Sequence, residues 1–350
     1  MKSPSFHGLL AGLLITLAAC GGAKAQPSTI DAESWSAYKA KFLDASGRIV
    51  DDGNGNVSHS EGQGYGLLLA YLAGSPSDFE QIWYFTRTEL LLRDDGLAVW
   101  RWDPAATPHV TDTNNASDGD ILIAYALARA GAAWNRSDYV EVAPKIAQAL
   151  LSETIVERNG LTLLLPGVSG FSAEDRSDGP IINPSYWIFE AFPLLATLAP
   201  SEKWGKLTED GTGLLRRMKF GPRQLPSDWV SMETMPRPAE GFPADFGYNA
   251  LRIPLYLLRG EIEDKDLLRR LQQGMTGAEG TLSTIDVESG APKEMLADPG
   301  YEIINHAVAC VVDGTRLPAS AKRFEPTLYY PSTLHLLGLS YVAEKHPECL

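Results

Sequence analysis

Apolar residues recur three and four positions apart along most of this chain. In ASDGDILIAYALARAGAAW, Ala116 to Trp134, Ile121, Ala124, Leu127 and Ala128 share one helical face, and near the C-terminus Leu334, Leu337 and Tyr341 do the same. The pattern predicts helices over residues 32–44, 61–74, 77–92, 118–133, 138–157, 185–199, 202–219, 247–259, 265–275, 300–312 and 329–345, with a short one at 318–323. Many begin after Ser, Asp or Asn and stop at Gly or Pro, as at Gly74 and Gly160. Strand signals are sparse, LTLLLP (Leu161 to Pro166) being the clearest. No Ser-, Pro- or Gly-rich linker divides the chain, and no repeat of about 20–50 residues is visible. Residues 26–350 therefore predict a single all-α domain of about twelve helices. The loops 93–117, 166–183 and 222–246 are long, polar and carry Trp, Asp and Glu. Loops of that length in a compact domain are usually functional or disordered. These three adjoin the predicted helix starts at 118, 185 and 247, which would gather them on one face.

The N-terminus is set apart from the fold. Lys2 is followed by LLAGLLITLAA, an apolar run short for a bilayer span, which predicts an export signal over residues 1–25. Leu17-Ala18-Ala19-Cys20 resembles a lipoprotein cleavage box, which would end the signal at residue 19 and make Cys20 a lipid anchor. Ala23-Lys24-Ala25 before Gln26 offers an ordinary cleavage site instead. Either way the protein is expected outside the cytoplasm, as a periplasmic, outer-membrane or secreted protein. Cys310, in the apolar run HAVACVVDG, reads as a buried free thiol by default. An oxidising compartment would permit a Cys310–Cys349 disulfide, which spacing alone does not establish.

A formal charge of −14 argues against nucleic acid or an anionic membrane surface as partner and suits a neutral ligand. Eight Trp and thirteen Tyr, several in polar loops, are consistent with flat platforms for sugars. The histidines show no HxxxH or HxH spacing, so neither a catalytic metal nor any other cofactor is expected.

Chemistry concentrates in a few short stretches. SEGQGYG, Ser60 to Gly66, places Glu61 among alternate glycines at a helix start. It is no phosphate loop, because VSHS is a poor strand and Glu61 would sit where phosphates belong. The glycines would let a ligand approach the backbone closely. Asp118 and Asp120 open the next long helix, where carboxylates also favour the macrodipole. NPSYW (Asn183 to Trp187), FGYNALRIPLY (Phe246 to Tyr256) and Tyr329-Tyr330-Pro331 follow. Tyr248, Asn249 and Arg252 would share a helical face.

In that order these segments resemble glycoside hydrolase family eight, the bacterial endoglucanases, chitosanases and xylanases. SEGQGYGLLLA is similar to the segment bearing its general acid, ASDGDILIAYALARAGAAW to its signature, and GLAVWRWD (Gly96 to Asp103) to its aromatic subsite segment. The likeness spans roughly residues 33–340. It implies an (α/α)6 barrel with a cleft at one end and inverting hydrolysis of a β-1,4-linked polysaccharide. It further implies Glu61 as the acid and Asp118 as the group that holds the distorted sugar. A helix N-terminus favours an ionised carboxylate, so an acid there needs burial or a neighbouring negative charge.

One position departs from the family. Where many members carry an Asp as base, this chain has Asn249, whose amide cannot take the proton. The loop before it offers Asp228, Glu233, Glu240 and Asp245, and Asp245, closest to Asn249 along the chain, is the expected base. Trp100, Trp102, Tyr186, Tyr248 and Tyr330 are candidate sugar contacts, of which two are expected to belong to the core. Asn249 would position the water, and Arg252 would orient Asn249 or a carboxylate unless it forms only a surface salt bridge. The expected activity is that of an endo-β-1,4-glucanase acting on cellulose during its breakdown or its synthesis, with the synthesis machinery as a candidate partner. Chitosan, xylan and mixed-linkage glucan stay open as substrates. So does a glycan-binding protein that has lost hydrolysis.

Overall fold

The structure, a computed structural model, describes residues 28–277 and 280–350. The predicted signal, with Cys20 and the Ala23-Lys24-Ala25 site, lies outside the described residues. The helices are α1 Ala32–Phe42, α2 Ser60–Leu72, α3 Pro76–Phe85, α4 Ser117–Trp134, α5 Ser137–Glu153 and α6 Phe192–Leu198, then α7 Lys203–Arg217, α8 Ile253–Arg259, α9 Lys265–Met275, α10 Pro299–Asp313, α11 Ala319–Lys322 and α12 Tyr329–Lys345. The even-numbered helices form an inner ring. α12 packs on α2, α2 on α4, α4 on α6, α8 on α10 and α10 on α12, while a 3-10 turn at Pro184–Tyr186, ahead of α6, packs on α8. The odd-numbered helices lie outside, α1 on α12, α3 on α2, α5 on α4, α7 on α6, α9 on α8 and α10, and α11 on α10. This is the expected (α/α)6 barrel.

Burial follows from the two sequence patterns. A helix that is apolar all round belongs in the interior, and one with a single apolar stripe belongs on the outside. α2 buries nearly its whole circumference from Ser60 to Ala70, and α4 does so from Ser117 to Ala128. Outer α7 buries only the stripe Trp204, Leu207, Gly211, Thr212, Leu214 and Leu215. Close packing of α2 on α4 depends on glycine. A Cβ on Gly64 would lie 2.5 Å from Leu122 Cβ, and one on Gly119 would meet Ser60 and the Glu61 backbone. The alternate glycines of SEGQGYG therefore serve helix packing, and not close approach of a ligand as expected. On Gly66 a Cβ would collide with Ile49, and Gly62 is pressed by His59 and Tyr329.

Several boundaries differ from expectation. The predicted helix at 185–199 is a 3-10 turn, an irregular stretch and then α6, and 247–259 begins with a 3-10 turn at Ala250–Arg252. The helix expected to run to 157 ends at Glu153, and Ile155–Arg158 instead forms strand β3 against Leu161–Leu164 (β4), because the Asn159-Gly160 pair at positive φ turns the chain back. The long loops are ordered by small antiparallel sheets. Ser58–His59 pairs with Arg101–Trp102, Ile181–Ile182 with Val230–Ser231 and that with Arg237–Pro238, and Asp245–Phe246 joins the unanticipated hairpin Leu282–Asp286/Pro292–Leu296. Cys310 is not a free thiol. It is bonded to Cys349, Cα–Cα 6.1 Å, tying α10 to the segment after α12.

Candidate active site

Inner-ring segments meet at one end of the barrel. Glu61 is the second residue of α2, Asp118 the second of α4, and Arg252 immediately precedes α8. Tyr186 closes the turn before α6, Tyr301 is the third residue of α10, and Tyr329 and Tyr330 open α12. These residues line one cleft of about 640 Å³ together with Trp100, Tyr248, Asn249, Asp51 and His59. Helix N-termini pointing into one cleft offer positive ends to its carboxylates.

At its floor the Arg252 guanidinium bridges two acids. Nη1 lies 2.5 Å from Glu61 Oε1, in contact though without hydrogen-bond alignment, and Nη2 donates to Asp118 Oδ2 at 2.8 Å. Arg252 and Asp118 are buried, whereas 18% of the Glu61 side chain is exposed, so Glu61 is the more open of two carboxyls that both line the cleft. The guanidinium lies over the rings of Tyr186 and Tyr256, 5.8 and 5.9 Å from their centroids, and donates a long bond of 3.4 Å to the Tyr330 hydroxyl. Arg252 is thus a buried organiser and no surface salt bridge. Burial, and then the Glu61 charge, push the proton affinity of Asp118 up, with Arg252 opposing. Asp120, also pushed up to about 7 by burial, faces away from the cleft; it accepts the Ala98 N–H at 2.7 Å and an Asn115 amide hydrogen at 2.9 Å, which fastens loop 93–117 to α4.

The sequence candidates separate. Trp100, Tyr186, Tyr248 and Tyr330 line the cleft, as do Asn249 and Arg252. Trp102 does not. Its ring is enclosed by Phe85, His109 and Arg48, so one of the five aromatics, and not two, turns away. Asp245 is also outside the cleft lining. It sits on its short strand with Oδ2 2.5 Å from Lys293 Nζ, an ion pair that occupies the carboxylate. Glu233 and Glu240 pair with Arg237 on the surface. Asp228 behaves differently. It is 8% exposed, its Oδ1 accepts the Gly247 and Ala250 N–H groups at 2.9 and 2.8 Å, and its Oδ2 faces Asn249 Nδ2 at 3.5 Å. Burial raises its proton affinity against those two N–H bonds. Asp228 and Asp245 both line a small chamber with Tyr248 and Asn249, the two residues that also line the cleft, so what separates the two acids is their partners. Sequence reasoning missed Asp51, His59 and Tyr301. The signal for His59 was its place directly before the SEGQGYG helix. Among the described residues no group of three or more His, Cys, Asp and Glu side chains is placed to hold a metal ion.

A twelve-helix barrel with carboxylates set among aromatic rings in an open cleft is the layout of a polysaccharide-processing protein. The model of the family described as "Glycosyl hydrolases family 8" matches residues 10–344, and the chain belongs to that family. A relative from Novacetimonas hansenii, named "Probable endoglucanase", is 35% identical over 92% of this chain and 96% of its own. The crystal structure of an endoglucanase from Komagataeibacter sucrofermentans is similar with a TM-score of 0.78, 35% identity, and coverage of 90% of this chain and 98% of that one. Endoglucanase Cel10 from Klebsiella pneumoniae, a family 8 glycosyl hydrolase, gives a TM-score of 0.78 at 33% identity, covering 89% and 99%.

Proposed function

We propose that the protein is an endo-β-1,4-glucanase that cleaves a cellulose-type β-glucan with inversion. The observation that carries this is the Glu61–Arg252–Asp118 cluster on the floor of an open, aromatic-walled cleft, in a chain whose relatives are named endoglucanases. An open cleft admits a polymer along its length. Aromatic rings supply flat faces for the sugars, and Asp118 holds the sugar under attack and stabilises its developing positive charge. Glu61 gives its proton to the glycosidic oxygen as the C1–O bond breaks. A water deprotonated by the second carboxylate attacks C1 from the other face. Asp228 is the better base than Asp245. Its Oδ2 faces Asn249, burial favours its protonated form, and among the described residues it forms no ion pair, whereas Lys293 holds Asp245. Asn249 then orients the water between cleft and base.

A reducing-sugar assay on carboxymethylcellulose, chitosan, xylan and mixed-linkage glucan tests the reading. The highest rate is expected on carboxymethylcellulose, and NMR of the first product should show the α-anomer. Binding to cellulose with no sugar released from any of the four would instead identify a glycan-binding protein.

The same proposal places the protein outside the cytoplasm, anchored by lipid on Cys20. The Cys310–Cys349 bridge supports an oxidising compartment and accounts for two of the three cysteines, leaving Cys20. Mass spectrometry of the native membrane fraction should find a chain beginning at lipidated Cys20, and a soluble chain beginning at Gln26 would remove the anchor. Anchoring would set the enzyme where newly made glucan leaves the cell, so co-purification with the cellulose synthesis machinery belongs to this reading.

A further inference from the structure

The residue that starts α2 is unusual. Helix N-caps are usually Ser, Thr, Asp or Asn, whose oxygen accepts an orphan backbone N–H. Here the cap is His59, in extended conformation, and its Nδ1 accepts the Gly62 N–H at 2.9 Å. A nitrogen that accepts an N–H carries no proton, so the ring proton sits on Nε2. There it faces Asp51 Oδ2 at 3.4 Å, and Asp51 is itself fixed by the Gly53 N–H on its other oxygen. The ring packs edge-on against Tyr329, centroids 5.7 Å apart, and its Nδ1 is 4.0 Å from Glu61 Oε2.

We propose that the Asp51–His59 pair is a positioning device for the acid Glu61, holding the first turn of α2 in register while His59 is neutral and releasing it when His59 gains a second proton. This rests on the glucanase reading and deepens it. The groups facing the imidazole are Asp51 from the preceding turn, Glu61 from α2, Asp118 from α4 and the Tyr329 ring from α12, with Arg252 beyond Glu61. A proton on Nδ1 ends the bond from Gly62 and turns a donor toward Glu61 Oε2. The helix start then loses its cap, and the acid acquires a cationic neighbour. Burial works against the imidazolium, but the Asp51 contact and the Glu61, Asp51 and Asp118 charges outweigh it, so the histidine charges above its ordinary range. Turnover should therefore fall as pH drops through that raised value.

The test is the pH profile of kcat and KM for wild type, Asp51→Asn, His59→Asn and His59→Ala on a soluble β-glucan. Asp51→Asn leaves the cap but removes the main support for the charged ring, so the acid limb should move to lower pH by about one unit or more. His59→Asn keeps an acceptor for the Gly62 N–H and cannot gain a proton, so its acid limb should move the same way. His59→Ala has no acceptor, and kcat should drop on the order of ten- to a hundredfold with KM nearly constant, a loss that His59→Asn partly recovers. Acid limbs of Asp51→Asn and His59→Asn that superpose on wild type would overturn the proposal. If wild type turned over no glucan at all, the functional reading would fail separately. Nitrogen-15 NMR of the histidines would then decide the positioning claim. The Nε2–H tautomer at high pH, with Gly62 amide protection lost as His59 titrates, supports it, and an Nδ1–H tautomer refutes it.

Discussion

At the scale of single residues the site is organised by one cation and three unequal acids. Arg252 touches Glu61 and Asp118 together, which places both within one sugar ring's reach while leaving only Glu61 open to solvent. Replacing Glu61 by Gln keeps the shape and removes the proton donor. Turnover of unactivated β-glucan should fall by about 10²–10⁴-fold with the melting temperature nearly unchanged. Near-normal turnover by a folded variant would remove Glu61 from the mechanism. The base is tested by paired variants. Asp228→Asn should lower kcat severely with little change in KM, since the base acts mainly in the transition state. Asp245→Asn, which loses only its Lys293 ion pair, should stay within about threefold of wild type, as exposed pairs contribute little. The reverse outcome would restore Asp245. The chemistry-bearing motifs were legible because Glu61 and Asp118 lie in specific strings. Asp228 was not singled out because its claim rests on two backbone N–H groups and burial, none of which is a sequence property.

At the scale of elements, α2 and α4 carry Glu61 and Asp118, the proposed acid and the proposed sugar-holding carboxylate, and their spacing is set by glycine against backbone. A methyl group on Gly119 has no room beside Ser60 and the Glu61 amide. Gly119→Ala should therefore cost about 1–3 kcal/mol of stability by overpacking and displace Glu61. Urea denaturation and kcat measured on the same sample should fall together, and a variant stable and active as wild type would show that the helices pass further apart. Helix periodicity was strong where helices are long, as in α4 and α12. It misplaced the elements at 185–199 and 247–259, where the chain reads apolar at helical spacing yet breaks. Those breaks deliver Tyr186 and Arg252 into the cleft. The hairpin at 282–296 was missed because its first strand is buried along four consecutive residues and its second is exposed along four, so neither shows period-two alternation.

At the scale of the whole molecule, a closed ring of helices makes its two ends unequal. One end gathers helix N-termini and long loops, and the ring is completed when α12 returns to α2. The Cys310–Cys349 bridge secures that closure by tying the last segment to α10. Its sequence separation of 39 residues is enough for a disulfide of ordinary effect, about 2–4 kcal/mol. The Cys310→Ser/Cys349→Ser double variant should melt several degrees lower than wild type while keeping its KM, because the bridge lies away from the cleft-lining residues. A melting temperature unchanged in calorimetry would count against the bridge as a stabilising element.

The sequence by itself determined the helical class and the family membership of the acid-bearing segments, because periodicity and short motifs are local and survive without neighbours. It also decided that Asn249 cannot be the base, since that is a matter of amide chemistry. Only the tertiary structure decided which groups stand together. Arg252 is 134 residues from Asp118 in sequence, yet donates to it at 2.8 Å. Asp245 is four positions from Asn249 along the chain but is claimed by Lys293, while Asp228, 21 positions away, faces its amide. Proximity along a chain and proximity in space diverge wherever a strand or a 3-10 turn replaces a helix, and at this cleft both do.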